Sequence, residues 1–296
     1  MLTFIDLFSG IGGFRLGMEM AGHKCLGHCE IDKFANKSYI AIHKPKEGEW
    51  YESDITRVRA SDIPRADVWC FGFPCQDISV AGKQKGFSGN RSSLFFTVTR
   101  LIRDIKEEDR PKYLFIENVK NLLSINRGYD FLKVLIELDR IGYDAEWQLF
   151  NSKDYGIPQN RERVFIIGYL RGRSRRKIFP ITRKNRATLK QIIADKQAYR
   201  VFDPRGISCT LISNGGGAGA KTGLYLMGNK PNRRIRRLTP RECFRLQGFP
   251  DEYFDRAREV NSDNQLYKQA GNSVTVNVIY EIARRLEGDF DELYSS

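Results

Sequence analysis

TFIDLFSGIGGFRLGMEMAG, residues 3–22, is the stretch whose reading decides the fold. TFIDLF (3–8) is a short apolar run, SGIGG breaks it as a loop, and FRLGMEMAG resumes with helical spacing. A glycine loop between a first strand and a first helix lets the backbone approach a ligand closely. The same alternation continues outward. KCLGHC (24–29) reads as a strand ending at Glu30, and a helix follows over roughly 32–43. Further strands are ADVWCFG (66–72), KYLFIEN (112–118), AEWQLFN (145–151) and RVFIIGYL (163–170). Amphipathic patterns sit between them at SSLFFTVTRLIRDI (92–105) and YDFLKVLIELDRIG (129–142). Strands without polar alternation, separated by helices, indicate an α/β fold with a parallel-dominated sheet. Right-handed crossovers then place ligands at the carboxyl ends of the strands.

Composition narrows the function classes. The chain has 296 residues, 41% hydrophobic and 29% charged, which suits one large or two modest globular domains. No apolar run approaches the roughly 18 residues of a membrane span. MLTFIDLFSG lacks the basic start of a secretory signal, so a cytoplasmic protein is expected. Six cysteines without a CxxC pair do not make a disulfide framework. His23, Cys25, His28 and Cys29 are the local cluster of metal-ligand types, but a strand sends them alternately to two faces, so burial is expected and no metal. The three histidines all lie within the first 43 residues, which argues against chemistry that needs a distant histidine base. Charge is concentrated. Residues 171–237 hold 18 Lys+Arg against Asp195 and Asp203, a net +16 in a chain of +13, leaving −3 for the rest. A slightly acidic body carrying a strongly basic insert is the pattern of a polyanion-binding lobe.

The glycine loop begins like GxGxxG, yet Arg15 stands at the third glycine position, which disfavours NAD or FAD. Glu30 is placed to accept bonds from ribose hydroxyls, and Asp54 from an adenine amino group. A tight turn and surface carboxylates would read the same way. GGGAGAKT resembles a phosphate loop, but Ala220 precedes Lys221 where glycine is needed and no strand–loop–helix frame surrounds it. The sharper candidates are Cys75, just beyond an apolar strand in CFGFPCQDIS, Glu117 at the end of another strand, and Arg161 and Arg163 before a third. Each has a bland reading as buried thiol, capping acid or solvated pair. Their convergence on one edge of the sheet does not.

DLFSGIGGF (6–14), GFPCQ (72–76), ENV (117–119), QNRERV (159–164), RLTPRECFRLQGFP (237–250) and QAGNSV (269–274) together resemble the ordered motifs of the DNA cytosine-5 methyltransferases of bacterial or phage restriction–modification type. The resemblance implies a Rossmann-like S-adenosylmethionine-dependent methyltransferase sheet with a small, basic target-recognition lobe. It divides the chain into a catalytic and cofactor-binding domain (1–170), a basic recognition region (171–237), and a segment (238–296) that ends the small lobe and returns a C-terminal helix to the catalytic domain. Cys75 would add to C6 of a cytosine, making C5 nucleophilic. Glu117 would bond N3 and the exocyclic amine. Arg161 and Arg163 would hold the base carbonyl, with Asn118 and Val119 as supports.

For the cofactor, Phe8 would stack on the adenine, and Gly10 and Gly12 would lie beside the methionine part. Glu30 would hold the ribose, and Asp54 and Ile55 the adenine. Pro74, Leu94 and Asn272 would complete the pocket, and Ile31 occupies a position where relatives often carry an aromatic ring. The substrate would be duplex DNA with its target base flipped out, because sulfur must reach C6 from above the ring plane. Gln76 and Ser79, in a closing loop over 76–95, would fill the vacated stack or touch the phosphates. Thr210 and Leu211, followed by Gly215 and Gly216, would meet the DNA. Residues 178–204 are short for a recognition lobe, so specificity would be short, relaxed or dependent on a partner. A monomer is expected, with any cognate restriction endonuclease acting separately. The alternatives are an RNA cytosine-5 methyltransferase built on the same motifs and a non-catalytic DNA-binding protein.

Overall fold

The N-terminal strand–loop–helix unit forms the middle of a seven-stranded sheet. The computed structural model describes residues 1–73, 93–172, 177–196, 199–213, 223–229 and 231–286. Its first half runs β1 (Thr3–Leu7), α1 (Gly13–Met20), β2 (Lys24–Cys29), α2 (Lys33–His43), β3 (Trp50–Glu52) and β4 (Val68–Gly72). Then come α3 (Ser93–Asp104), β5 (Tyr113–Val119), α4 (Tyr129–Arg140), β6 (Tyr143–Asn151) and β7 (Glu162–Leu170). The strand order is β3-β2-β1-β4-β5-β7-β6. All neighbours are parallel except β7, which runs antiparallel to both β5 and β6. The sheet is thus the parallel-dominated α/β sheet expected, with one strand reversed. That reversal and the three-residue edge strand β3 go beyond the sequence reading.

Period-two alternation sorts the strand side chains into two cores. Ile5, Leu7, Trp69, Phe71, Leu114, Ile116, Val164 and Ile166 face α3 and α4, meeting Phe95, Val98, Val134 and Leu138. Their sequence neighbours Phe4, Val68, Cys70, Phe115, Phe165 and Ile167 face α1 and the last described helix, α8 (Val276–Ala283). α1 approaches α8 so closely that a Cβ on Gly17 would stand 2.6 Å from Ile279 Cβ, a contact that excludes any side chain there.

Beyond β7 the chain builds a four-stranded sheet in the order β11-β10-β9-β8, from β8 (Gln191–Ile193), β9 (Val201–Phe202), β10 (Leu224–Met227) and β11 (Arg234–Arg237). Three helices follow: α5 (Pro240–Arg245), α6 (Asp251–Val260) and α7 (Asp263–Asn272). α5 starts on a capping box, with the Thr239 hydroxyl accepting from Glu242 N–H and the Glu242 carboxylate accepting from Thr239 N–H. A third core joins these helices to the large sheet's helices: Phe244, Phe249, Phe254 and Leu266 pack with Ile11, Leu16, Ile42 and Leu211. Among the described residues no helix is long and apolar enough to cross a membrane.

Candidate active site

The order of the sheet divides its carboxyl edge in two. The chain leaves β1 toward β2 and β3 on one side, and returns through β4, β5 and β7 on the other, so the β1/β4 junction is a topological switch point. On the first side, β1 ends at Leu7 and Phe8 takes a left-handed backbone at φ 55°, uncommon for a bulky residue and a mark of functional constraint. Gly10 N–H then donates to Glu30 Oε2 at 2.7 Å, and Asp32 N–H donates to Glu30 Oε1 at 2.7 Å. The carboxylate is fixed by two main-chain donors and keeps lone pairs for a ligand. Burial pushes its pKa up, against those two bonds. Around Gly10 a Cβ would meet nothing within 4 Å, so the loop faces open space. An oriented carboxylate beside an open glycine turn fits a ribose diol and an adjoining chain, as S-adenosylmethionine requires.

Of the other cofactor candidates, Ile31, Asp54 and Ile55 follow the neighbouring strands β2 and β3. Glu30 N–H donates to the Glu52 carbonyl at 3.2 Å, which joins the end of β2 to β3. Asp54 Oδ1 already accepts from Thr56 N–H at 3.0 Å and Thr56 Oγ1 at 2.7 Å, bonds that hold its carboxyl below the usual range. Ile55 buries its side chain in the first core, its N–H faces the Cys29 thiol, and its carbonyl accepts from Val58 N–H at 3.4 Å. Ile31 is 74% exposed, Leu94 is half-buried against the first core, and Asn272 is exposed at the end of α7. Pro74 lies outside the described residues.

On the second side, Glu117 of β5 sits opposite Gly72 of β4. Arg163 Nε lies 3.0 Å from Glu117 Oε1, both side chains largely buried. The structure therefore brings together two of the four catalytic candidates. It also shows how the chain approaching the third is held. Asn118, buried beside Glu117, donates from its amide to the Phe73 carbonyl at 2.9 Å, two residues before Cys75. Cys75 itself, with Gln76, Ser79, Gly215 and Gly216, lies outside the described residues.

Arg161 differs from Arg163. It is almost fully buried, and its Nη1 donates to the Leu211 carbonyl at 3.0 Å. Its Nη2 donates to the carbonyls of Gly271 and Ser273 at 3.1 and 2.8 Å, and Nε has no partner. Burial, then the Arg163 charge, push its pKa down to about 9 against the opposing pull of Glu117. Its fork is spent on main chain. Leu211, expected to meet DNA, is itself a core residue at 1% exposure, and its carbonyl is held by Arg161. Thr210 is half-buried and donates to the Asn160 carbonyl at 2.5 Å.

Several polar residues outside the sequence reading complete this seam. Gln159 donates to the Leu246 carbonyl at 2.6 Å and accepts from Leu211 N–H at 2.9 Å. Gln247 donates to the Ala270 carbonyl at 2.7 Å and accepts from Thr275 Oγ1 at 3.1 Å, and Thr275 Oγ1 meets Ser152 Oγ at 2.8 Å. The place of Gln159 at the head of QNRERV is the sequence signal that marks it. Asp6, buried under the glycine loop, accepts from Arg15 N–H at 3.2 Å while burial pushes its carboxyl up.

Comparison with known proteins bears on the whole chain. A family model described as "C-5 cytosine-specific DNA methylase" matches residues 2–205 and 208–288. The chain is 38% identical to the type II methyltransferase M.HhaI of Haemophilus parahaemolyticus, over 95% of this chain and 93% of that one. It is 36% identical to the type II methyltransferase M1.ScrFI of Lactococcus lactis subsp. cremoris, over 95% of this chain and 77% of that one. Among solved structures, the S. pombe Dnmt2 methyltransferase shares the fold with a TM-score of 0.76 at 21% identity, covering 97% of this chain and 98% of its own.

Proposed function

The chain belongs to the C-5 cytosine-specific DNA methylases, and from that membership we propose that it moves a methyl group from S-adenosylmethionine to C5 of a cytosine flipped out of duplex DNA. The setting proposed is type II restriction–modification, the class named for its curated relatives. The single observation that carries the reading is the Glu117–Arg163 pair, 3.0 Å apart at the end of β5 and opposite Gly72.

C5 of cytosine is too weak a nucleophile to take a methyl group unaided. The Cys75 thiolate adds to C6 and pushes electron density onto C5. Glu117 bonds N3 and the exocyclic amine and offsets the charge that builds as sulfur adds. Arg163, on the far side of Glu117, holds that carboxylate in register and bonds the base carbonyl. When bound, S-adenosylmethionine would supply an electrophilic methyl group to C5 and leave as S-adenosylhomocysteine. A water then takes the C5 proton, the C5–C6 double bond re-forms, and Cys75 leaves C6 as the thiolate. Glu30 and the 8–12 loop hold the donor, with Asp54, Leu94, Pro74 and Asn272 around it. Arg161 acts one step back, by fixing the 271–273 segment and Leu211 beside the site. The basic segment 171–237 tracks the DNA phosphates, with Thr210, Gly215 and Gly216 nearest the target and Gln76 and Ser79 filling the gap left by the flipped base.

The test is bisulfite sequencing of a plasmid incubated with the protein and S-adenosylmethionine, beside Cys75→Ala. Methylation at a repeated short motif, absent in the variant, is the expected outcome and gives the recognition sequence directly. Scattered methylation would show that the short lobe reads little sequence. No methylation of DNA, with methylation of an RNA transcript, would replace this reading by the RNA alternative.

A further inference from the structure

One ring outside the catalytic set is packed directly against the glycine loop. His43 ends α2, and its Nε2 lies 3.0 Å from the Ile11 carbonyl oxygen. A carbonyl can only accept, so Nε2 carries the proton and Nδ1 is bare. Nδ1 is buried without a hydrogen-bond partner. Burial pushes the imidazole down to about 3, so the neutral Nε2–H form holds throughout the neutral range. Two rings fix its plane: Tyr39, of the same helix, at 4.7 Å between centroids, and Tyr253 of α6, edge-on at 5.7 Å.

The loop is shaped around this ring. Gly12 has φ 80°, and a Cβ there would stand 2.1 Å from His43 Nε2, 2.7 Å from His43 Cδ2 and 2.9 Å from Tyr39 Cε2. Position 12 is bare because the imidazole occupies the space. Ile11, whose carbonyl the ring holds, lies between Gly12 and the Gly10 N–H that meets Glu30. The same Ile11–Gly12 peptide donates its N–H to the Ser9 carbonyl at 2.8 Å, and the Ser9–Gly10 peptide is the one whose N–H meets Glu30. Rotating the Ile11 peptide would therefore cost the His43 bond and release the peptide that faces Glu30. The hydrogen bond and the missing side chain constrain the same turn from opposite sides.

We propose that His43 is a positioning residue for the methyl-donor loop: its Nε2–H anchors the Ile11 carbonyl and so holds the Gly10–Gly12 turn in the orientation that meets Glu30. The inference rests on the reading of that loop and Glu30 as the S-adenosylmethionine site.

His43→Phe keeps a ring in the space and removes the donor. His43→Gln keeps an N–H close to the Nε2 position and removes the ring. S-adenosylhomocysteine, the product form of the donor, is titrated calorimetrically into the full-length proteins without DNA, so turnover plays no part. Loss of one well-placed hydrogen bond predicts binding weakened about five- to tenfold in His43→Phe. Recovery to within about twofold is expected in His43→Gln. In steady state the KM for S-adenosylmethionine should rise in His43→Phe, while kcat and the affinity for a DNA duplex stay at wild-type values. Equal binding by wild type and His43→Phe overturns the proposal. So does a parallel loss of donor and DNA affinity with a lowered Tm, which would make the ring ordinary packing.

Should His43→Phe fail to fold, the wild-type ring decides. Its 15N resonances should report the Nε2–H tautomer and shift on saturation with S-adenosylhomocysteine; an Nδ1–H tautomer, or no shift, overturns the proposal. Failure of the wild-type protein to bind S-adenosylhomocysteine at all would instead remove the donor site on which it rests.

Discussion

The two ends of the catalytic edge are built on different plans. At the donor end, the interactions that shape the site are local: Gly10 reaches Glu30 across 20 residues, and His43 reaches Ile11 across 32. At the base end they span the chain. Arg161 alone ties carbonyls 50, 110 and 112 residues away, and Gln159 holds one 87 residues away. The hydrogen bonds that shape the donor loop therefore lie within the first fifty residues of chain. The base end exists only when three distant segments meet, and its buried polar groups are what bring them into register.

Perturbing the base end should leave the donor end alone, and the largest effect tests that most sharply. Glu117→Gln removes the carboxylate from Arg163 and the base, and turnover should fall by about 10²–10³-fold, the scale of losing one transition-state contact. Calorimetric affinity for S-adenosylhomocysteine should not change. Loss of both would erase the division between the ends.

Next is Arg161→Met, which strands three carbonyls around a buried site. Urea unfolding should show a loss of about 3 kcal/mol, and Arg161→Lys should recover little of it, because an ammonium cannot span three acceptors as the fork does. A shift of less than ~0.5 kcal/mol would mean the seam closes without Arg161 and would weaken the contrast.

The smallest effect belongs to Glu242, in the α5 capping box. Arg236, bonded to both of its oxygens at 2.7 Å, holds its carboxyl down at about 2 against an ordinary 4.5. A depressed carboxyl contributes stability above its unfolded value and loses it as pH falls toward its folded one. The wild-type advantage over Glu242→Gln should therefore be full above about pH 5 and fade between 4.5 and 2. Both partners are partly exposed, so screening keeps this below ~1 kcal/mol. An advantage that grew on acidification would assign it to something other than this pair.

Much of this was legible because it is local or periodic. The six longer strands of the large sheet announce themselves as apolar runs, and the glycine loop follows directly on the first. Glu117 and Arg163 are visible as polar residues at strand ends. Four features were not. β3 is three residues with two exposed side chains, so it carries no apolar run. The reversal of β7 leaves no trace in composition, since a strand buried on both faces reads the same in either direction. Arg161 and Arg163 look like an equivalent pair, yet only Arg163 lies within β7, paired with Val119. Arg161 precedes the strand, and its fate depends on carbonyls supplied from residues 211, 271 and 273. Gln159 and Gln247 sit in stretches without periodicity, where a polar residue suggests solvent. They are buried because loops packed together need donors for their main chain.

The packing of α8 on α1 has a consequence for how the molecule is made. His23 Nε2 meets the Ala283 carbonyl at 3.0 Å across 260 residues of chain. During synthesis Phe4, Phe14 and Met18 must therefore wait for Val278, Ile279 and Ile282. At ribosomal speeds of about 5–20 residues per second, that delay is roughly 13–50 s. Closing so long a loop costs little more at equilibrium than closing a shorter one, so the burden falls on the nascent chain and not on the finished protein. A ribosome that stalls before Val276 leaves an aromatic face of the sheet uncovered, a surface for chaperones to hold or for aggregation to use.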